Sequence, residues 1–111
     1  MTKPVASAAL DFRPIAHLFR DAAEVIASSD GVPVSQILRP TGRAAKRLRH
    51  VAAYLVVTTA GVPTNRLSRA VGVSRCAIRH GLAAVEDMRD APEIDARLSR
   101  LEDAFSQRIA A

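Results

Sequence analysis

The sequence predicts an all-α protein, a compact bundle of about six helices containing a helix-turn-helix. Three observations predict it. Aromatics make up only 4% of the 111 residues while Ala, Leu, Val and Arg are plentiful. That balance favours helices, because sheets lean on aromatic and β-branched side chains. The four longest apolar patterns all repeat at three- and four-residue spacing, and Gly or Pro interrupts the chain between them. A hydrophobic content of 49% excludes disorder throughout, and the length suits a single domain over residues 1–111.

Each element follows from this punctuation. Ile15, Leu18, Phe19, Ala22, Val25 and Ile26 predict a first helix from about Phe12 to Ser28, with Pro14 in its opening turn and Asp30-Gly31 at its end. Val34 to Arg39 reads as one or two helical turns with Ile37 and Leu38 inward, broken by Pro40-Thr41-Gly42. A third helix is expected from about Arg43 to Thr59, with Leu48, Ala52, Leu55 and Val56 as its inner stripe and Gly61-Val62-Pro63 as its stop. Thr64 is the expected N-cap of a short fourth helix holding Leu67 and Val71, and Ser74 that of a fifth. The fifth helix would bury Ile78, Leu82, Val85 and Met88. Gly81 in its interior costs about 1 kcal/mol relative to Ala, so a close approach to a neighbour is expected there. Pro92 opens the last helix, whose apolar face is Ile94, Leu98, Leu101, Phe105 and Ile109.

Charge is distributed unevenly along these elements. The net charge is +5, yet residues 31–85 contain no Asp or Glu while holding nine of the sixteen cations. These are Arg39, Arg43, Lys46, Arg47, Arg49, Arg66, Arg69, Arg75 and Arg79, accompanied by His50 and His80. The first thirty residues carry three cations against four acids, and residues 86–111 carry four against seven. Self-repulsion in the middle opposes folding, so an anionic partner is the natural explanation beside the plainer one of a solvated basic surface. Eight of the nine are Arg, whose fork matches phosphate and guanine edges better than a Lys ammonium does. The basic segments lack the large apolar face of a membrane anchor, so nucleic acid is preferred over lipid.

Other classes are disfavoured. The longest apolar run, Val51 to Val57, is too short to span a bilayer, and Ser7 and Asp11 interrupt any signal-peptide core. One Cys excludes an internal disulfide framework and a Cys-based zinc site. His17, His50 and His80 lack ligand spacing, no nucleophile–base pair is suggested, and no phosphate-binding G-x-x-x-x-G-K-[ST] loop is present. The expectation is a cytoplasmic, nucleoid-associated protein without cofactor, metal or enzymatic activity.

The segment at 64–90 has the helix-turn-helix pattern within a basic core at 31–91. Leu67 and Val71 lie inside, Gly72 takes the turn, Val73 plugs the junction and Ile78 locks the second helix onto the first. Ser74, Arg75, Cys76, Arg79 and His80 then project from the first turns of the second helix, with Arg75 and Arg79 at i and i+4. An ordinary helical hairpin is the plainer alternative. On the third helix Arg43, Lys46, Arg47 and His50 recur at i, i+3, i+4 and i+7 as a basic ridge. Cys76 is expected to act as a small residue close to DNA, a redox role being the alternative. Tyr54 is expected to be a half-buried core residue rather than a phosphate ligand.

A longer stretch resembles a known family. D-G-V-P-V-S-Q-I-L-R, A-K-R-L-R-H-V-A-A-Y-L, N-R-L-S-R-A-V-G and A-A-V-E-D-M-R, spread over about Val25 to Leu101, resemble the C-terminal DNA-binding domain of DnaA, the bacterial chromosomal replication initiator. The most specific part is R-x-R-x-V-A-x-Y-L at Arg47 to Leu55. The resemblance implies that Arg47 is a minor-groove arginine, that Arg49 matches the arginine two places on, and that the later helix enters the major groove. Leu48 stands where the family has Pro. At the recognition helix V-S-R-C-A-I faces the family's R-D-H-T-T-V, about one residue is deleted, and Cys76-Ala77 occupies the Thr-Thr pair. The family's base-edge contacts are therefore unmatched, and its ATPase domain is absent from these residues.

The expected function is sequence-specific binding of double-stranded DNA by a transcription or replication regulator. The expected contacts are Arg43, Lys46, Arg47, Arg49, His50 and Arg66, with Ser74, Arg75, Cys76, Arg79 and His80. Two alternatives stand beside it: a protein-interaction module using the acidic C-terminal helix, or RNA binding, which the lack of aromatics for stacking weakens. A homodimer or a protein partner through either terminal helix is compatible with all three.

Overall fold

A computed structural model describes residues 14–111, and among these every regular element is a helix. The expected start of the first helix at Phe12 lies outside the described residues. In chain order the helices are α1 (Ile15–Asp30), α2 (Val34–Leu38), α3 (Arg43–Thr58), α4 (Thr64–Val71), α5 (Arg75–Met88) and α6 (Pro92–Ala110). The all-α architecture follows the sequence expectation, with two helix starts corrected.

Both corrections concern proline. Pro14 does not sit in the first turn of α1 but directly precedes it, and α4 is preceded by Pro63, so that Thr64 is its first helical residue and not its cap. Pro33 stands in the same place before α2. The ring fixes φ near −60° while ψ stays extended, and the free carbonyl accepts the first helical N–H bonds: Pro14 from His17 and Leu18, Pro63 from Arg66 and Leu67. A residue before the helix needs no N–H of its own, so proline serves as well as a hydroxyl would. Ser74 does act as expected: its Oγ accepts the Ala77 N–H at 3.1 Å and starts α5.

Gly72 makes the α4–α5 turn. Its φ of 71° is left-handed, and its N–H and that of Val73 both return to the Ser68 carbonyl. The Ser68 hydroxyl donates to the Val73 carbonyl, tying the turn back to α4.

The helices close around α3, which packs against each of the other five. Its inner stripe is wider than expected. Leu48 is only half-buried, while all six residues from Val51 to Val56 are buried. A helix surrounded on most sides needs apolar or small residues around its circumference, not along one stripe. From α6, Leu98, Leu101, Phe105 and Ile109 are buried, so that face closes the core. In the N-terminal half of α3, Arg43, Lys46 and Arg47 are exposed and carry their charge to the surface, while Leu48 packs against the core.

Candidate nucleic-acid interface

The ion pairs of the described residues fall outside the basic window. Arg20 meets Glu24 at 3.0 Å, Arg108 meets Asp21 and Glu24, Arg97 meets Asp30, and Arg89 meets Asp95 and Glu102. These tie α6 to α1 and close the α5–α6 junction. None of the nine cations between Arg39 and Arg79 has a carboxylate partner among the described residues. Eight of them are exposed and Arg49 is half-buried. Their charge is left to solvent and counterions, the condition under which a polyanion binds by releasing counterions.

On α3, Arg43, Lys46 and Arg47 form an exposed ridge, and His50 continues it inward. His50 lies against α5 at Gly81, where a built Cβ would come 2.7 Å from the imidazole Cδ2. The close approach expected of Gly81 is present, and it decides how nearly α5 can lie to α3. Burial, and after it the positive charge of Arg49, hold the His50 imidazole below its ordinary pKa. Near neutral pH this member of the ridge is an uncharged spacer between helices, not a cation. Arg49, expected as a contact beside the ridge, is half-buried. It lines a small cavity with Val73, Ala77 and Ile78, at the junction of α3, the α4–α5 turn and the start of α5.

On α5, Ser74, Arg75, Cys76, Arg79 and His80 are all exposed, whereas Ile78, Gly81 and Val85 face inward. At about 100° per residue, the outward surface passes from Arg79 through Ala83, Cys76, Asp87 and His80 to Ala84, with Asp87 in the last turn. Ala84 in turn lines a groove with Arg43, Lys46, Arg47 and His50 of α3. The ridge of α3 and the arginines of α5 therefore border one α5 face from different sides, with Ala83, Cys76, Asp87 and His80 between them. Arg66 and Arg69 are exposed on α4, and Arg39 just before Pro40. The acids of α5, Glu86 and Asp87, come only in its last turn.

Two residues outside the expected set hold this surface in place. Arg89, directly after α5, donates from Nε to Asp95 at 2.6 Å, from Nη1 to Glu102 at 3.0 Å and from Nη2 to Ser99 at 3.1 Å. It also donates to the Tyr54 hydroxyl at 3.0 Å, with its guanidinium carbon 5.8 Å from the ring centroid. Tyr54 donates in turn to Glu86 at 2.7 Å. The two carboxylates hold the guanidinium firmly charged, and burial with the Glu86 bond pushes the Tyr54 phenol above its ordinary value. Tyr54 is more deeply buried than expected, at 5% exposure, and its hydroxyl is committed inside the protein. The sequence signal for Arg89 was weak: a basic residue in an acidic stretch, with partners 6, 10, 13 and 35 positions away.

Cys76 is exposed on the outward α5 face. The three histidines lie on three separate helices, and no group of three or more potential metal ligands occurs among the described residues. No helix of these residues is long and apolar enough to cross a membrane. Comparison of the chain with protein-family models, with curated proteins and with solved structures finds no match.

Proposed function

We propose that this chain binds double-stranded DNA and acts as a transcription or replication regulator on the nucleoid, without chemistry of its own. One observation supports this most: the nine cations between Arg39 and Arg79, eight of them exposed, have no carboxylate partner among the described residues, and residues 31–85 hold no acid. In this proposal Arg43, Lys46 and Arg47 grip the backbone or the minor groove, and α4 and α5 act as a helix-turn-helix with the first turns of α5 in the major groove. The resemblance to the DNA-binding domain of the replication initiator supports the same assignment, with Arg47 as the minor-groove arginine. Target preference differs from the initiator's, because Cys76 and Ala77 stand in place of its Thr-Thr pair. Arg49 and His50, partly withdrawn between helices, set the spacing of α3 and α5 rather than contact bases.

Fluorescence anisotropy with a labelled duplex, an RNA hairpin and a single strand at one fixed salt concentration tests this. The duplex is expected to bind tightest, with affinity falling steeply as salt rises, by a log–log slope of about −0.9 for each phosphate neutralised. Equal affinity for all three, or a duplex affinity indifferent to salt, would refute it.

A further inference from the structure

A cleft runs along α3 where it faces α5 and α6. Its open part, about 590 Å³, has Arg43, Lys46 and Arg47 on one wall and Met88 and Ile94 in its floor. A narrower part of about 160 Å³ shares Met88 and Ile94 and continues beneath Arg47 to Leu48 and Val51. Met88, Ile94 and Leu48 are each half-buried, so the floor is apolar surface that the fold leaves partly open. A duplex backbone would satisfy the three cations and make no use of that floor. Cations with no carboxylate partner among the described residues, above an apolar floor, complement a ligand that is acidic and apolar at once.

We infer that this cleft docks an acidic amphipathic helix of another protein. Apolar side chains spaced i, i+3 and i+7 would rest on Met88 and Ile94, and flanking carboxylates would reach Arg43, Lys46 and Arg47. Methionine suits such a floor because its unbranched, polarisable side chain adapts to what lies on it. The acidic helix of a second copy is not available, since the apolar face of α6 is buried in its own core. Because the wall of the cleft is also the ridge assigned to DNA, the docked helix would displace DNA. That consequence alone rests on the DNA-binding proposal.

Met1 and Met88 are the only methionines, so a chain labelled with ¹³C at the methionine methyls reports Met88 directly. The probe is a synthetic helical peptide with Leu on one face and Glu beside it, compared with versions in which Leu is replaced by Ser or Glu by Lys. The Leu/Glu peptide is expected to shift the Met88 methyl saturably. Ile94→Lys and the double variant Arg43→Glu/Lys46→Glu are each expected to weaken it at least about tenfold. Should Ile94→Lys not fold, the double reversal at two exposed positions carries the test. No Met88 shift, or an equal shift with the Ser or the Lys peptide, overturns the inference. A duplex that binds and is not displaced overturns the competition. A duplex that never binds refutes the DNA-binding proposal and leaves the Met88 result standing.

Discussion

His50 of α3 fills the space that a side chain on Gly81 of α5 would need, its Cδ2 and Cγ lying 2.7 and 2.8 Å from where that Cβ would be. Gly81→Ala therefore sets two effects against each other. Helix propensity favours Ala by about 1 kcal/mol, but the imidazole is wedged between helices and must move or push α5 away. Overpacking of this kind costs about 1–3 kcal/mol, so the variant is expected to unfold at lower urea, and His50→Ala added to it should recover much of the loss. A single variant as stable as the parent would show that the ring swings aside freely.

The same burial makes stability depend on pH. The folded His50 binds its proton less tightly than the unfolded chain, whose value is near the ordinary 6.5. Its contribution is therefore fully present above about pH 6.5 and is lost as pH falls toward the lowered folded value, because the unfolded state takes up the proton first. Urea midpoints at pH 7.5 and 5.5 should differ more for the parent than for His50→Gln. Identical pH dependence would place the loss in other groups.

Arg89 joins Asp95, Ser99 and Glu102 to Tyr54 across the α3–α5–α6 junction with only 18% of its side chain exposed. Arg89→Met leaves partly buried carboxylates without their cation, for an expected loss of about 2–3 kcal/mol, below the cost at a fully buried pair because solvent still reaches the acids. Arg89→Lys should restore little, since one ammonium cannot bond in four directions as the planar fork does. Tyr54→Phe removes a single link and should cost about 1 kcal/mol. Thermal denaturation of the three variants ranks them, and a lysine variant as stable as the parent would reduce the junction to simple charge attraction.

That junction also marks where the sequence ceases to inform. Gly31 and Gly72, both left-handed, and the Pro92 start of α6 were legible because each acts on its own neighbours. The basic ridge was legible because helical spacing alone aligns Arg43, Lys46, Arg47 and His50. Whether His50 remained a cation was not, since that depends on α5 passing 31 residues further along. The role of Arg89 was hidden for the same reason: composition counts its charge, but only packing of α6 reveals which acids consume it. Pro63 displaced the expected Thr64 cap because propensity ranks hydroxyl caps first, although a carbonyl with preset φ suffices.

The cations of α3 and α5 should separate by the kind of loss they cause. Arg47 and Arg79 are both exposed and have no ion pair among the described residues, so replacing either by Ala should change folding stability by less than about 0.5 kcal/mol. Arg47 belongs to the ridge that the proposal sets on the backbone or minor groove. Its loss is expected to weaken every duplex alike and to reduce the salt slope by about 0.9, the equivalent of one phosphate contact. Arg79 stands on the outward face of α5 next to Ala83 and Cys76, small side chains that in the proposal leave room for base edges. Its loss is expected to relax preference at one base pair by about 1–3 kcal/mol, visible when fragments are selected from a random duplex library. The opposite pattern, a specificity change from Arg47→Ala with the salt slope intact, would exchange the roles of the two helices.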